Sequence, residues 1–269
     1  MVRIPPMGRF RSLGWLLIGL IGGLLFSSFA SSYQPNGHIV VGGTGRTLSV
    51  VFLLGDSEIL VGGGSVPNDV VELADRSTVP WQRPYELLIV PSWDTEHVPG
   101  ALSLIERGAI RSVTIVGPVK SDPVWTILER QAELHHTAVR FITEPSRLLL
   151  DQNTTLELLP SEAGLVTCLW SGPIVVEVRD QRASVQLAYH CGKPTTAVVS
   201  LRQSSLVDAP LLIRPRPRRA QELVNSARYE IQLDRGEQVT LRLGASELRV
   251  RRDKVVTAPT AAPGGTQGQ

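Results

Sequence analysis

Residues 92–97 gather Ser92, Asp94, Glu96 and His97: a hydroxyl, two carboxylates and an imidazole on one short stretch. These are oxygen and nitrogen donors of the kind that coordinate a divalent cation. The same residue types also suit an ordinary polar loop before a helix, where the helix dipole favours acids. Deciding between the two requires knowing what carries the stretch and how many further donors converge on it.

The elements around it are legible. Leu87, Leu88, Ile89 and Val90 form an apolar run that predicts a buried strand, and the turn at Gly100 opens an amphipathic helix with Leu102, Leu104 and Ile105. Strand, polar elbow and helix place side chains at the carboxyl edge of a sheet, where α/β proteins put their chemistry. Upstream, residues 48–54 and 57–61 read as two strands around a Gly55-Asp56 turn, followed by Gly62-Gly63-Gly64 and a helix over 66–75. Pro80, Trp81 and Pro84 mark a loop. Downstream, residues 113–116 form a strand closed by Gly117-Pro118. Asp122 caps a helix with Pro123 at its first position, and residues 139–142 form the next strand. This alternation predicts one αβ layer. The second half is different: short strands at 148–150, 155–159, 165–169, 174–178, 185–189, 197–201 and 211–213, then closing hairpins to residue 250. Arg179-Asp180-Gln181-Arg182 reads as the hairpin turn between two of them.

On these residues the chain resembles the metallo-β-lactamase fold, and within it the C-terminal domain of the ComEC competence proteins. The family signature after the central strand is Thr-His-x-His-x-Asp-His. Here Pro91 stands at the Thr, Ser92 and Asp94 at the first two His, Glu96 at the Asp, and His97 keeps the last His. The segment FLLGDSEILVGGG is similar to the family's Asp-Val-Gly-Gln-Gly-Asp-Ser and Ile-Asp-Gly-Gly through Gly55, Asp56, Ser57, Gly63 and Gly64, without the Asp before the glycines. His190 falls about where the family has a metal-bridging Asp, and Arg202 and Gln203 fall near a Pro-His-His-Gly-Ser motif. The resemblance covers roughly residues 48–250 and implies an α+β four-layer αββα sandwich.

A two-metal hydrolase of this kind uses five or six His and carboxylate ligands around an activated water. Asp94, Glu96, His97 and His190 are what this chain offers, a set suited to one zinc or manganese ion and so to a mononuclear phosphodiesterase or nuclease. The shortfall in ligands favours the other expectation: no cofactor, and a pseudo-hydrolase serving as a binding or scaffold module, linked by analogy to DNA uptake. His135 and His136 are adjacent on a helix, about 100° apart, and do not chelate one ion. Arg214, Arg216, Arg218 and Arg219 alternate with prolines and could track nucleic-acid phosphates, or form a solvated surface.

The 269 residues fit one domain of about 200 residues with extensions, and the net charge of +2 excludes no partner. Arg3, Arg9 and Arg11 precede an apolar run over 13–29. Residues 1–30 therefore read as a signal peptide or a transmembrane signal-anchor helix, with the domain on the extracytoplasmic side. Residues 31–46 read as a linker, 47–256 as the domain and 257–269 as a disordered tail. Cys168 and Cys191 fit a disulfide in that compartment, or two buried small hydrophobes. The implied partners are the membrane, through the N-terminal helix, an unidentified protein, and DNA.

Overall fold

The computed structural model of the chain describes residues 37–78, 84–118, 123–161, 164–181, 191, 195–202, 209–217, 227–244 and 246–253. The apolar run at 13–29, the 185–189 strand, His190, Gln203, Arg218, Arg219 and the tail from 257 lie outside them. Among the described residues no helix is long and apolar enough to cross a membrane.

In chain order the first half runs β1 (His38–Gly43), β2 (Leu48–Leu54), β3 (Ser57–Val61), α1 (Pro67–Ser77), β4 (Tyr85–Val90), α2 (Val98–Glu106), β5 (Ile110–Val116), α3 (Pro123–Leu134) and β6 (Ala138–Ile142). The second half is all strand: β7 (Ser146–Leu149), β8 (Thr154–Ser161), β9 (Gly164–Ser171), β10 (Ile174–Gln181), β11 (Ala197–Ser200), β12 (Leu211–Pro215), β13 (Tyr229–Leu233), β14 (Gln238–Leu243) and β15 (Leu248–Asp253). Two mixed sheets result, ordered β15-β14-β1-β2-β3-β4-β5-β6 and β13-β12-β11-β10-β9-β8-β7. Each has an antiparallel part and a parallel part: β3 through β6 are parallel in the first, β10 through β13 in the second.

Strand side chains alternate between faces, and both faces of the first sheet are buried. Ile39, Val41, Val50 and Phe52 point to the second sheet, where Leu156, Val176, Val199 and Ile213 meet them. Val40, Val51, Leu60 and Leu88 point the other way, onto Val70, Leu104 and Leu128 of the helices. Burying each such side chain is worth about 1.5–3 kcal/mol, so these two apolar layers dominate the stability.

Three expectations change. The linker at 31–46 contains β1, which pairs with β14 on one side and β2 on the other. Its glycines disguised a central strand. A Cβ on Gly43 would lie 2.0 Å from the carbonyl oxygen of Asp234, so that glycine serves close backbone approach. α2 begins at Val98, before Gly100. Arg179, Asp180 and Gln181 are no hairpin turn but the last residues of β10, whose neighbours are antiparallel β9 and parallel β11. The described helices cover the first sheet, so α, β and β layers are seen among the described residues, and the fourth layer of the expected sandwich is not among them. The outer face of the second sheet carries the Cys168–Cys191 disulfide, with Cα atoms 5.7 Å apart, packed with Val166 and Val175.

Candidate functional site

The elbow after β4 is fixed by backbone contacts. Gly62 N–H donates to the carbonyl of Ile89 at 2.9 Å, which holds the β3 exit beside the end of β4. A Cβ on Gly63 would lie 1.9 Å from the carbonyl oxygen of His97, and one on Gly100 would lie 1.7 Å from that of Gly63. These two glycines let the Gly-rich turn press directly on the start of α2. Within the elbow the Glu96 N–H donates to Asp94 Oδ1 at 2.9 Å, an Asx turn that aims the other Asp94 oxygen inward.

Facing the elbow are the carboxyl ends of two parallel strands of the second sheet. Ile174, Val176 and Val178 of β10 belong to the inter-sheet core, and Asp180, next in that alternation, points the same way at the sheet edge. Leu201, just past β11, donates its N–H to Arg179 and accepts from Leu48 of the first sheet, both at 2.8 Å. Ser200 Oγ donates to the Arg202 carbonyl at 2.7 Å. The backbone before Arg202 is therefore tied to both sheets.

The Arg202 guanidinium enters the middle of the acidic group. Its Nη1 meets Glu96 Oε2 at 2.7 Å and its Nη2 donates to Ser92 Oγ at 2.7 Å. Nη2 also bonds Asp94 Oδ2, and Nε bonds Asp180 Oδ1. Ser92 Oγ lies 2.8 Å from Asp94 Oδ2 and 3.2 Å from Asp180 Oδ2. His97, fully buried, places Nε2 at 3.1 Å from Asp180 Oδ1. Among the described residues its Nδ1 has no hydrogen-bond partner.

The electrostatics follow from this packing. Burial alone would raise the Asp180 carboxyl, yet His97 and Arg202 hold it well below the usual carboxylate range. Asp94 is lowered in the same way: burial opposes, and the Arg202 hydrogen bond, His97 and Ser92 outweigh it. Burial works against the Arg202 charge, but its bonds to Asp180 and Asp94 keep it more firmly protonated than a free arginine.

A metal ion does not fit this arrangement. The inward oxygens of Asp94, Glu96 and Asp180 are already taken by the guanidinium, and His97 Nε2 is directed at Asp180. Among the described residues no group of three His, Cys, Asp or Glu side chains is arranged to hold an ion. As built, the site is an ionic clasp joining the elbow of one sheet to the strand ends of the other.

Ser92, Asp94, Glu96 and His97 thus come together as the sequence suggested. Asp180 joins them, while His190 lies outside the described residues; the signal that could have found Asp180 was the inward alternation 174, 176, 178, 180. Arg202, placed by the sequence only as a neighbour of lost histidines, is the centre of the group. Of the proposed nucleic-acid arginines, Arg218 and Arg219 lie outside the described residues. Arg214 is buried, with Nε and Nη2 on Glu230, and Arg216 pairs with Asp234.

No family model and no curated protein matches the chain. Among solved structures it is similar to Zn2+-bound PqqB from Methylobacterium extorquens, at 13% identity and a TM-score of 0.44, covering 64% of this chain and 72% of that one. It is similar to the metallo-β-lactamase fold protein YhfI from Bacillus subtilis at 14% identity and a TM-score of 0.40, over 66% of this chain and 85% of that one. It is also similar to the metallo-β-lactamase FIM-1 from Pseudomonas aeruginosa in its mono-zinc form, at 14% identity and a TM-score of 0.31, over 48% and 56%. The class that the fold itself defines is a mixed two-sheet α+β sandwich with its candidate site at the carboxyl ends of parallel strands from both sheets.

Proposed function

We propose that this chain is a non-hydrolytic domain of the metallo-β-lactamase type, most similar to the ComEC C-terminal domain, in which Arg202 stands where such domains hold metal. Its work is then binding or scaffolding on the extracytoplasmic side, tethered through the apolar segment at 13–29. One observation carries this reading: a single guanidinium occupies the oxygens of Asp94, Glu96 and Asp180 that a metal would need. A site whose donors are closed by an internal cation has no ligand position left for an activated water.

The test is elemental analysis of the full-length chain purified without chelator, with phosphodiester hydrolysis assayed under added zinc or manganese. Far less than one metal per chain and no turnover are expected. Arg202→Ala, with its carboxylates uncovered, should gain a rise in Tm on addition of manganese that the parent chain lacks. About one metal per chain, with turnover abolished in His97→Ala, would instead establish the mononuclear phosphodiesterase.

A further inference from the structure

At the end of the first sheet remote in strand order from β15, β6 is an edge strand, paired among the described residues with β5 alone. Beside it α3 leaves an open groove of about 700 Å³, lined by Trp125, Val139 and Phe141, with Glu129 and Glu133 along the helix side and His136 at one end. Trp125 is packed between Trp93 and Phe141, with ring centroids at 5.5 and 4.9 Å, so the floor is a rigid aromatic surface. The Glu129 and Glu133 carboxylates have no ion-pair partner among the described residues.

The backbone of β6 is directional. The Ile142 carbonyl accepts from Gly117 N–H on the β5 side at 3.0 Å. Strand groups alternate in direction, so Ala138, Arg140 and Ile142 face β5 and the N–H and C=O of Val139 and Phe141 face the open edge. The residues that line the groove with side chains therefore also offer backbone that is unpaired among the described residues to an added strand. Spacing agrees with this. Glu129 and Glu133, four residues apart on a helix, are separated by about 6 Å along its axis. Alternate side chains of an extended strand repeat at about 6.6 Å.

We propose that this groove captures an extended, basic peptide segment of a partner protein by strand addition to β6. The segment bonds the backbone of Val139 and Phe141, and two of its Lys or Arg side chains, at alternate positions, lie against Glu129 and Glu133. Such β-augmentation takes affinity from main-chain bonds and selectivity from alternate side chains. The inference is independent of whether the Arg202 cluster binds metal.

The test uses the full-length chain and a blocked hexapeptide, Lys-Thr-Lys-Val-Lys-Thr, against the same peptide with Glu for each Lys. Titrations are followed by intrinsic tryptophan fluorescence, to which Trp125 contributes, and by calorimetry at low and moderate salt. The basic peptide should bind, less tightly as salt rises, and the acidic one should not. The double charge reversal Glu129→Lys with Glu133→Lys should weaken the basic peptide at least about tenfold, the scale of roughly 1.4 kcal/mol. It should also admit the acidic one. Val139→Pro, which removes an outward N–H and leaves the β5 ladder intact, should abolish both. Equal binding of the two peptides, no binding at millimolar concentration, or indifference to charge reversal would overturn the proposal. So would sedimentation showing this edge closed by a second copy of the chain.

Discussion

β10 carries two ionic groupings back to back, and they are built on opposite principles. On its outward face Glu177, fully buried, bonds Arg179 two residues along the same strand and accepts from Thr195 at 3.5 Å. On its inward face Asp180 joins Arg202, His97 and Ser92, drawn from elements up to 110 residues apart. The outward pair is local and stitches one strand, whereas the inward group spans two sheets and fixes how the strand ends of one meet the elbow of the other. Similar chemistry thus serves secondary structure on one face and tertiary structure on the other.

Breaking the inward group should have the largest effect. Arg202→Ala strands a buried Asp180 charge beside Asp94 and should lower stability by about 3–5 kcal/mol in urea unfolding. Arg202→Lys should recover only part of this, since one ammonium cannot replace the planar fork that reaches Asp180, Asp94 and Glu96 together. Next comes the covalent tie on the outward side. Cys168→Ser with Cys191→Ser opens a link between residues 23 apart, and a loss of about 3 kcal/mol is expected by the same measurement. Glu177→Gln keeps an acceptor for Arg179 and Thr195 while removing the charge, so about 1.5 kcal/mol is expected. A loss as large as that of Arg202→Ala would erase the distinction between the two faces.

The smallest effect separates them by pH. Asp180 and Asp94 have folded-state pKa values below their ordinary 3.8. Their contribution is therefore complete above that value and is lost as pH falls through it towards the folded values. Between pH 4 and 3 the parent chain should lose about 1 kcal/mol in urea midpoint analysis, on a limit of roughly 1.4 kcal/mol per group per pH unit. Arg202→Ala should show a shallower acid slope, and an unchanged slope would remove Arg202 as the cause.

Much of this architecture was written locally. The apolar runs at 87–90 and 174–178, the Pro123 helix start and the triple glycine each specify their element through short-range sterics and periodicity, and they stand where the sequence put them. β1 was hidden because Gly42 and Gly43 have the composition of a linker, and only packing against β14 and β2 makes that stretch a strand. Asp180 was misplaced because a charged Arg-Asp-Gln-Arg string is indistinguishable from a turn until the partner strands are known.

By itself, then, the sequence determined the elbow with Ser92, Asp94, Glu96 and His97 and the strand and helix order of the first half. Only the tertiary structure decided that Asp180 completes the group, that Cys168 and Cys191 are joined, and that the cation at its centre is Arg202. The reason is physical. Periodicity and turn chemistry act over a few residues, whereas a guanidinium meets three carboxylates only after two sheets have packed and brought their strand ends together.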